Sequence, residues 1–454
     1  MTHLYRTQTT GNRRTFTIST WIKFGGSYGQ HGAIILNTDG DSTNTNFMYG
    51  LKTDDTISLH LYGGDVFTTT RKIRDHSSWY HIVLGIDTTQ ATAGNRVKFY
   101  INGELQSITQ ESLYPAQNFD FGVGDNGRVM SIMGDHDNSN NYDNRSYLSH
   151  YHFCDGYQYA ASDFGSTDSV TGEWNINTSP NVNYGSTGFF LKFENSSNLV
   201  EDSGGNSISF STSGTPIPTL DNPSNNFAVF NSHFKAGAGT TTFSHGNLTG
   251  QSPNSQGSAG VSSLGARSGK WYAEFKQSAE STSNEGAIAV VDSHYINQNL
   301  GLSSSGYLEY CVACWGLRDH SSGGTFYSSG GSRSTGSSQH QGWSNGDILM
   351  VAMDVDNNRV YFGKNGQWND SNTWSSATPS QYLTLDATDF EGEYHFAVGD
   401  SSSGNNVTWQ ANFGNGYFGT TAVTSAQNPA DGIGIFEYTV PTGYKALCTK
   451  GLNS

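Results

Sequence analysis

The chain has 454 residues, enough for two or three domains, and it combines 34% hydrophobic and 13% aromatic residues with 55 glycines, which favours an all-β fold. Its formal net charge is −16 and it has no run of five basic residues, so nucleic-acid binding and attachment to anionic membranes are disfavoured. No stretch approaches the roughly 20 apolar residues of a membrane span, and the N-terminus has no Sec-type signal pattern, so we expect no membrane insertion.

The first half of the chain contains a series of short predicted strands. In residues 12–24, apolar and polar side chains alternate, which is the pattern of a half-buried strand close to the N-terminus. One face carries Phe16, Ile18, Ile22 and Phe24, and the other carries Thr15, Thr17, Ser19 and Trp21. Further predicted strands, separated by turn residues at the spacing of a sandwich, lie at residues 33–36, 46–51, 56–62, 65–70, 129–133 and 146–154.

Two segments share one hairpin plan. In residues 79–103 and again in residues 342–368, a strand that is apolar on both faces is followed by a turn, an aromatic strand and an Asn-Gly dipeptide. Asn365-Gly366 fits a tight type I′ turn, because both residue types reach positive φ easily. Since the two copies lie roughly 260 residues apart, far beyond a solenoid period, they predict two tandem antiparallel β-sandwich domains.

The predicted domain boundary is marked by proline. Three of the nine prolines are Pro216, Pro218 and Pro223, a density that is typical of a linker. We assign residues 1–215 to the first sandwich, residues 216–230 to the linker and residues 231–454 to the second sandwich. Within the second sandwich, the Gly- and Ser-rich stretch 244–269 is predicted as loop, and strands are predicted at 270–276 and 286–291.

The strand sequences resemble known families. TFTISTWIKF, WYHIVLGID with RVKFYINGEL, and YLSHYHFCDG are similar to strands of laminin-G-like, concanavalin A-like jelly rolls. GKWYAEF, GDILMVAMDVDNNRVYFGKNG and NFG resemble strands of SPRY domains. Between them, motifs such as GEW, YG and GFFL resemble a connector found in structural proteins of tailed phages, particularly marine ones, in which a laminin-G-like domain leads into a SPRY-like domain.

This resemblance implies a non-enzymatic virion structural protein, a surface appendage or tail-fibre-like knob that engages a host-surface glycan or protein. It implies a place in the virion after assembly in the host cytoplasm, other capsid or tail proteins as partners, and a homo-oligomeric or otherwise symmetric assembly. A capsid-decoration protein without a receptor role, a glycan-degrading enzyme and an intracellular SPRY-type adaptor are the alternatives. The fold alone does not decide among them, because both sandwiches host many functions.

The sequence patterns for catalysis are weak. Glycoside hydrolysis needs two carboxylates about 5 to 9 Å apart, and the nearest cluster, Asp389, Glu391 and Glu393, precedes a predicted strand as a loop would. Two Gly-x-Ser-x-Gly matches, at Ser27 and Ser344, are not followed by the helix pattern that a nucleophile elbow requires. We therefore expect no enzymatic activity.

A polar loop at residues 134–144 is a candidate calcium site. Asp135, Asp137 and Asp143 offer the hard oxygen ligands that Ca²⁺ prefers, and the resemblance to laminin-G-like folds implies a calcium site on such a rim loop. The loop lacks the spacing and the glycine of an EF-hand. A polar turn without metal is the alternative interpretation.

A second candidate site lies in the long Gly/Ser segment of the second half. Arg318, Tyr327, His340 and Trp343 lie in or beside it. SPRY-like folds bind partners through such loops, and Tyr, Trp and Arg are the usual anchors of an interface. The alternative is that these aromatic side chains pin the loop to the sandwich.

The four cysteines are expected to be reduced thiols. Four are too few for a disulfide scaffold. Cys311 and Cys314 have the spacing of half a zinc site, but no second pair of ligands is evident. The expectation for all four, Cys154 and Cys448 included, is burial without metal or disulfide.

Overall fold

A computed structural model describes residues 2–25, 33–38, 47–61, 64–109, 115–136, 145–234, 239–253, 258–281, 286–293, 308, 313–319, 326–327, 333–334, 341–385, 393–400 and 406–453. Strands make up 47% of the chain and helices 3%, which confirms the predicted all-β class. The chain divides into two units, one built from Met1–Phe24 and Tyr28–Pro218 and the other from Thr219–Ser454. Among the described residues, no helix is long and apolar enough to span a membrane.

The strands of the first unit are β1 His3–Thr7, β2 Thr15–Lys23, β3 Ala33–Thr38, β4 Phe47–Leu51, β5 Thr56–Leu61, β6 Gly64–Lys72, β7 Trp79–Asp87, β8 Val97–Ile101, β9 Glu104–Leu105, β10 Ile108–Thr109, β11 Val129–Ile132, β12 Tyr147–Asp155, β13 Gly165–Thr167, β14 Trp174–Ile176, β15 Phe189–Leu191 and β16 Ser211–Ser213. One sheet has the order β10-β6-β5-β4-β3-β11-β1-β16, and the second has the order β15-β12-β2-β7-β8-β9. Strands β13 and β14 form a separate hairpin.

The core of the first unit lies between these eight- and six-stranded sheets. Phe16, Ile18, Ile22 and Phe24 of the β2 region all enter it, as the alternation predicts. The pattern did not reveal β1, which precedes the strand predicted as first. Only Leu4 of β1 belongs to this core, and one buried apolar residue is too weak a signal for period-two analysis.

Both predicted hairpins form. Strand β7 pairs antiparallel with β8, and the chain then turns at Asn102 and Gly103, with φ values of 48° and 81°. In the second unit the matching turn is Asn365-Gly366, with φ values of 49° and 84°. Positive φ at both central residues confirms the predicted type I′ geometry.

The strands of the second unit are β17 Thr242–Ser244, β18 Thr249–Gln251, β19 Ala259–Val261, β20 Lys270–Glu280, β21 Gly286–Asp292, β22 Cys314–Arg318, β23 Phe326–Tyr327, β24 Arg333–Ser334, β25 Ile348–Asp354, β26 Arg359–Lys364, β27 Gln367–Asp370, β28 Thr373–Ser376, β29 Tyr382–Thr384, β30 Tyr394–Asp400, β31 Val407–Asn412, β32 Tyr417–Phe418, β33 Thr421–Ala422 and β34 Lys445–Ala446. A short helix, α1 Thr449–Leu452, follows β34.

The second unit is also a sandwich. Its larger sheet has the order β17-β18-β31-β20-β25-β26-β27-β28, with β29 paired to β26 and β34 to β20, and its smaller sheet has the order β19-β30-β21-β22-β23-β24. Phe275 of β20 and Phe396 of β30 meet between the sheets, with ring centroids 6.1 Å apart. The stretch 244–269, predicted as loop, contains β18 and β19, because pairing with β31 and β30 outweighs its weak local propensity.

The unit boundary follows Pro218 and lies inside the range 216–230 that was predicted as linker. The end of that range packs within the second unit. Phe227 forms a β-bridge with Cys448, and Phe230 forms one with Ser262; both phenylalanines are buried. The last residues of the range therefore belong to the second sandwich.

The expectation of four reduced thiols is wrong for Cys314, which is disulfide-bonded. Cys154 and Cys448 are free and buried, and burial raises the pKa of both thiols. A low cysteine count argues against a disulfide scaffold, but it does not exclude a single bond.

A buried carboxylate joins the larger sheet of the second unit to the C-terminal segment, residues 433–448. Glu274 of β20 is fully buried. Its carboxylate accepts hydrogen bonds from the backbone N–H groups of Glu437 and Tyr438, at 2.8 Å each. It also accepts from the Tyr272 hydroxyl at 2.9 Å and the Asn412 amide at 3.3 Å. Burial raises the pKa of Glu274 to about 7.

The substitution Glu274→Gln should destabilise the second unit by about 2–4 kcal/mol. The two backbone N–H groups go to different carboxylate oxygens, so an amide nitrogen would have to face one of them, and it cannot accept. Denaturant unfolding measures the loss. The matched control is Glu173→Gln, whose side chain is exposed. Equal unfolding midpoints for the two variants would contradict the assigned role.

The stability of the second unit should also depend on pH through Glu274. Its pKa is about 7 in the folded chain against an ordinary 4.5, so between these values the folded state holds a proton that the unfolded state has lost. The free energy of unfolding should therefore fall as pH rises through this window, by about 3 kcal/mol from this group. Because the amide of Glu274→Gln does not titrate, the unfolding free energies of the wild type and this variant should differ most at low pH and approach each other as pH rises through the window. Parallel pH profiles would show that Glu274 does not titrate there.

Candidate ligand-binding groove

The outer face of the six-stranded sheet in the first unit is covered by the chain between β12 and β15. We call residues 156–188 the covering segment. Its apolar side chains, among them Phe164 and Val182, pack against Val83 and Cys154 of the sheet. The Thr17 side chain of β2 ties it down by donating to the Tyr157 carbonyl at 2.7 Å. The six-stranded sheet thus packs against the core of the sandwich on one face and against the covering segment on the other.

His81 of β7 is one of two buried histidines beneath this segment. Burial lowers its pKa to about 3, so the ring is neutral. The Trp174 indole N–H donates to its Nδ1 at 2.9 Å, so Nε2 carries the hydrogen and donates to Ser19 Oγ, also at 2.9 Å. The ring lies between Trp174 and Trp21 in nearly parallel contacts.

The Ser19–His81 pair has the separation of a nucleophile and its base, but not their chemistry. Its Nε2 already carries a hydrogen, so it cannot take the serine proton. Both side chains are buried, which denies access to a substrate. The pair is a structural contact between β2, β7 and the covering segment.

His152 of β12 is the second buried histidine. Burial lowers its pKa well below the ordinary value, and its Nδ1 lies 2.9 Å from the Tyr184 hydroxyl. The rings of Tyr184 and Phe190 both stack on it. This contact fixes the part of the covering segment that forms one wall of a groove.

An open groove of about 440 Å³ runs along the covering segment. Its lining residues are Tyr159, Asn181, Val182, Asn183, Tyr184, Gly185, Gly204 and Asn206. They come from three stretches of the chain, at residue 159, residues 181–185 and residues 204–206, which come together because β15 pairs with β12. The lining contains amides, tyrosines and glycine backbone, and none of its residues is acidic or basic.

Asn183 holds a pair of tyrosines at the edge of the groove. Tyr157 and Tyr159 stack with ring centroids 5.8 Å apart and an interplanar angle of 19°. The Asn183 side-chain amide donates to the Tyr157 hydroxyl, and its backbone N–H donates to the Tyr159 hydroxyl, each at 2.9 Å. The two rings therefore form a fixed aromatic platform.

Another wall of the groove, at Gly185 and Asn206, requires the backbone of Gly185 to lie close to the backbone of Asp155. The Asn206 amide donates to the carbonyls of Gly185 and Gly188, at 3.0 and 2.9 Å. Gly185 has φ +66°, and a Cβ there would lie 2.1 Å from the Asp155 carbonyl oxygen. Glycine is required at this position by both its conformation and its surroundings.

Several polar atoms of the groove are left for a ligand. Within the described part of the chain, the side chain of Asn181 and the side-chain oxygen Oδ1 of Asn206 have no hydrogen-bond partner. The hydroxyl of Tyr159 in the lining, and that of Tyr157 beside it, each accept one hydrogen bond and have no acceptor among the described residues for their own hydrogens. The groove thus presents donors and acceptors together.

Comparison with known proteins agrees with the architecture of this unit. Residues 3–144 match the concanavalin A-like lectin/glucanases superfamily, in a family of laminin-G-like domains. The predicted concanavalin A-like sandwich is confirmed for that part of the chain. The family's description includes both lectins and glucanases, so it leaves the activity of this part of the chain open. No curated protein matches the chain.

Several solved structures are similar at low identity. The SPRY domain of human HERC1 is 15% identical and covers 36% of this chain and 87% of its own, with a TM-score of 0.26. The TRIM65 PSpry domain is 13% identical over 43% of this chain and 98% of its own, with a TM-score of 0.27. A heptameric SAP-like pentraxin from Limulus polyphemus is 15% identical over 42% and 85%, with a TM-score of 0.29. These scores support no functional conclusion.

The predicted binding residues of the second unit are not brought into one visible site. Arg318 ends β22 and is half-buried. Tyr327 lies in β23, but its side chain and the whole of His340 lie outside the described residues. Trp343 is only 5% exposed, and its indole N–H donates to Gln277 Oε1 at 2.8 Å. The Trp343 side chain thus pins the chain to the sandwich, as the alternative interpretation expects, and a binding role for these four residues stays a prediction.

The predicted calcium ligands lie mostly outside the described residues. Asp135 is half-buried close to His3, whose pKa is lowered by burial. Asp137 and Asp143 fall in the part that the structure does not describe. Among the described residues, no group of three His, Cys, Asp or Glu side chains could hold a metal ion. The calcium site stays a prediction.

The sequence patterns considered for catalysis are accounted for where they are described. Glu393 forms an ion pair with His395 at 3.4 Å, while Asp389 and Glu391 lie outside the described residues. Ser344 lies in a turn in which its backbone N–H donates to Asp347, and β25 follows directly. A strand in place of a helix confirms that Ser344 is not in a nucleophile elbow. Ser27 is not among the described residues.

The substitution Gly185→Ala should disrupt the groove wall. Positive φ alone costs an L-residue about 1–2 kcal/mol, and the contact with the Asp155 carbonyl would force a further backbone shift. Gly172→Ala is the matched control, since Gly172 has φ +76° with nothing within 4 Å of its Cβ position. Unfolding measurements should show a loss at Gly185 at least twice that at Gly172. Equal losses would show that the close approach is relieved without cost.

Proposed function

We propose that this chain is a non-enzymatic virion structural protein, a surface appendage or tail-fibre-like knob, that engages a host-surface glycan or protein. The groove on the first unit, whose lining follows the part of the chain that matches the concanavalin A-like family, is the observation that carries the binding part of this proposal. It is open, its walls are held by hydrogen bonds, and it leaves both donors and acceptors for a ligand. A ligand site of this kind is expected to be concave and largely pre-formed.

The groove favours binding over catalysis. Glycoside hydrolysis needs two carboxylates on either side of the scissile bond, and the lining contains none. The Ser19–His81 pair is buried and in the wrong tautomer for nucleophilic attack. A glycan-degrading enzyme would have to use another part of the chain.

The virion part of the proposal rests on the order of the two domains in the sequence. A laminin-G-like half followed by a SPRY-like half resembles phage structural proteins, with capsid or tail proteins as partners in a symmetric assembly. Mass spectrometry of purified virions should detect the chain. Its absence from particles would contradict a structural role and favour an intracellular adaptor.

Binding to host cells should depend on the groove. Asn181→Ala removes an amide that makes no internal hydrogen bond. Tyr159→Phe keeps the ring but removes a hydroxyl that lines the groove and also accepts from the Asn183 backbone N–H. Each should weaken binding of the purified chain by about 2- to 10-fold. Flow cytometry with labelled protein measures this.

The matched control is Asn175→Ala, at an exposed asparagine of β14 that does not line the groove. It should bind as the wild type does. A wild-type chain that does not bind host cells would instead favour capsid decoration without a receptor role. Equal binding by all variants would move the binding site away from the groove.

Removal of calcium should leave groove binding unchanged. None of the lining residues is a carboxylate, so a divalent cation would find only neutral oxygen ligands there, without the charged ones that give a calcium site its affinity. Cell binding with and without excess EGTA checks this. A loss of binding on chelation would contradict it and would favour a role for the loop that contains Asp135.

A further inference from the structure

We infer that the groove takes a neutral, hydroxyl-rich saccharide, in preference to an acidic glycan or a peptide. The inference rests on the proposed function, because it names the ligand class of the same site. It follows from three features of the described residues: the charge of the groove and its surroundings, the mixture of open donors and acceptors, and the exposed aromatic platform.

The charge around the groove disfavours an anionic ligand. No lining residue carries a cationic group that could pair with a carboxylate or sulfate. The charged groups behind the walls are engaged with the protein itself. Asp155 accepts from the Thr187 backbone N–H, and Asp202 accepts from the Gly204 backbone N–H at 2.7 Å. The Arg6 guanidinium donates to the Thr187 carbonyl and interacts with both carboxylates. Lys192 lies over the Phe190 ring and does not line the groove. An acidic sugar would therefore lose hydration without gaining a counter-charge.

The open polar atoms match hydroxyl groups. The side chain of Asn181 can donate and accept, the Asn206 carbonyl oxygen can accept, and the hydroxyl of Tyr159 can donate. A sugar hydroxyl also donates and accepts, so it can satisfy such a mixed set, whereas the carboxylate or sulfate group of an acidic sugar can only accept. Neutral polyols are the ligands that use both kinds of atom.

The tyrosine platform supplies a surface for the apolar face of a sugar ring. Tyr157 is 39% exposed, and the Asn183 amide holds its hydroxyl. A ring held in this way offers an apolar face at low entropic cost. A peptide would use apolar side-chain pockets or a sheet edge, but Val182 is the single aliphatic side chain in the lining.

The test is binding of the full chain to an array that carries neutral oligosaccharides beside sialylated, sulfated and uronate-containing ones. We expect the bound glycans to be neutral and the signal to change little between about 0.05 and 0.5 M salt, because no charge pair contributes. For a bound neutral oligosaccharide, titration with Asn181→Ala should weaken affinity by about 2- to 10-fold, and Tyr157→Ala by a similar factor. Asn175→Ala should match the wild type.

The outcomes separate this inference from the proposed function. A preference for acidic glycans, a strong salt dependence, or neutral binding that none of the groove variants weakens would overturn the inference. Groove-dependent binding to host cells with no neutral glycan bound would also overturn it, while the proposed function would stand. Neutral glycan binding through the groove without any binding to host cells would support the inference and contradict the proposed attachment role. Unfolding midpoints of the variants must match the wild type before affinities are compared.

Discussion

The first sandwich depends on how His81 and His152, which are buried on the outer face of its six-stranded sheet, are satisfied. A neutral imidazole in a packed layer needs a partner for each ring nitrogen that faces the protein. Trp174 supplies one for His81, and Tyr184 supplies one for His152. Both partners belong to the covering segment, so the hydrogen bonds that satisfy the sheet also fix the position of that segment. The groove exists because the covering segment is held in this way.

In the second sandwich, the C-terminal segment covers the outer face of the larger sheet. The C-terminal segment packs Phe436 and Tyr444 onto the apolar outer face of the larger sheet, around Tyr272. The carboxylate of Glu274 holds two of its backbone N–H groups. In both units a polar group on a strand binds a long-range segment of chain, which gives the packed layer a defined position that apolar contact alone would leave less specific.

Several motifs on which the resemblance to phage connectors rests contain residues with a structural role in the first unit. The Trp of GEW is Trp174, and the YG motif places Tyr184 against His152 and Gly185 against the Asp155 carbonyl. These residues are the supports of the groove. Its open atoms belong instead to residues between and beyond the motifs, such as Asn181 and Asn206. Support and recognition are therefore divided between different positions of the same segment.

The sequence by itself determined the all-β class, the strand faces and the Asn-Gly turns, because these depend on neighbours two or three residues apart. Phe16 and Ile18 face the core, and Asn365 adopts positive φ, as period-two alternation and turn chemistry require. Only the tertiary structure decided the groove and the burial of Trp343, since stretches distant in the chain meet in each case. Local sequence patterns do not reveal such contacts, because the residues that form them are distant in sequence and are brought together only by tertiary packing.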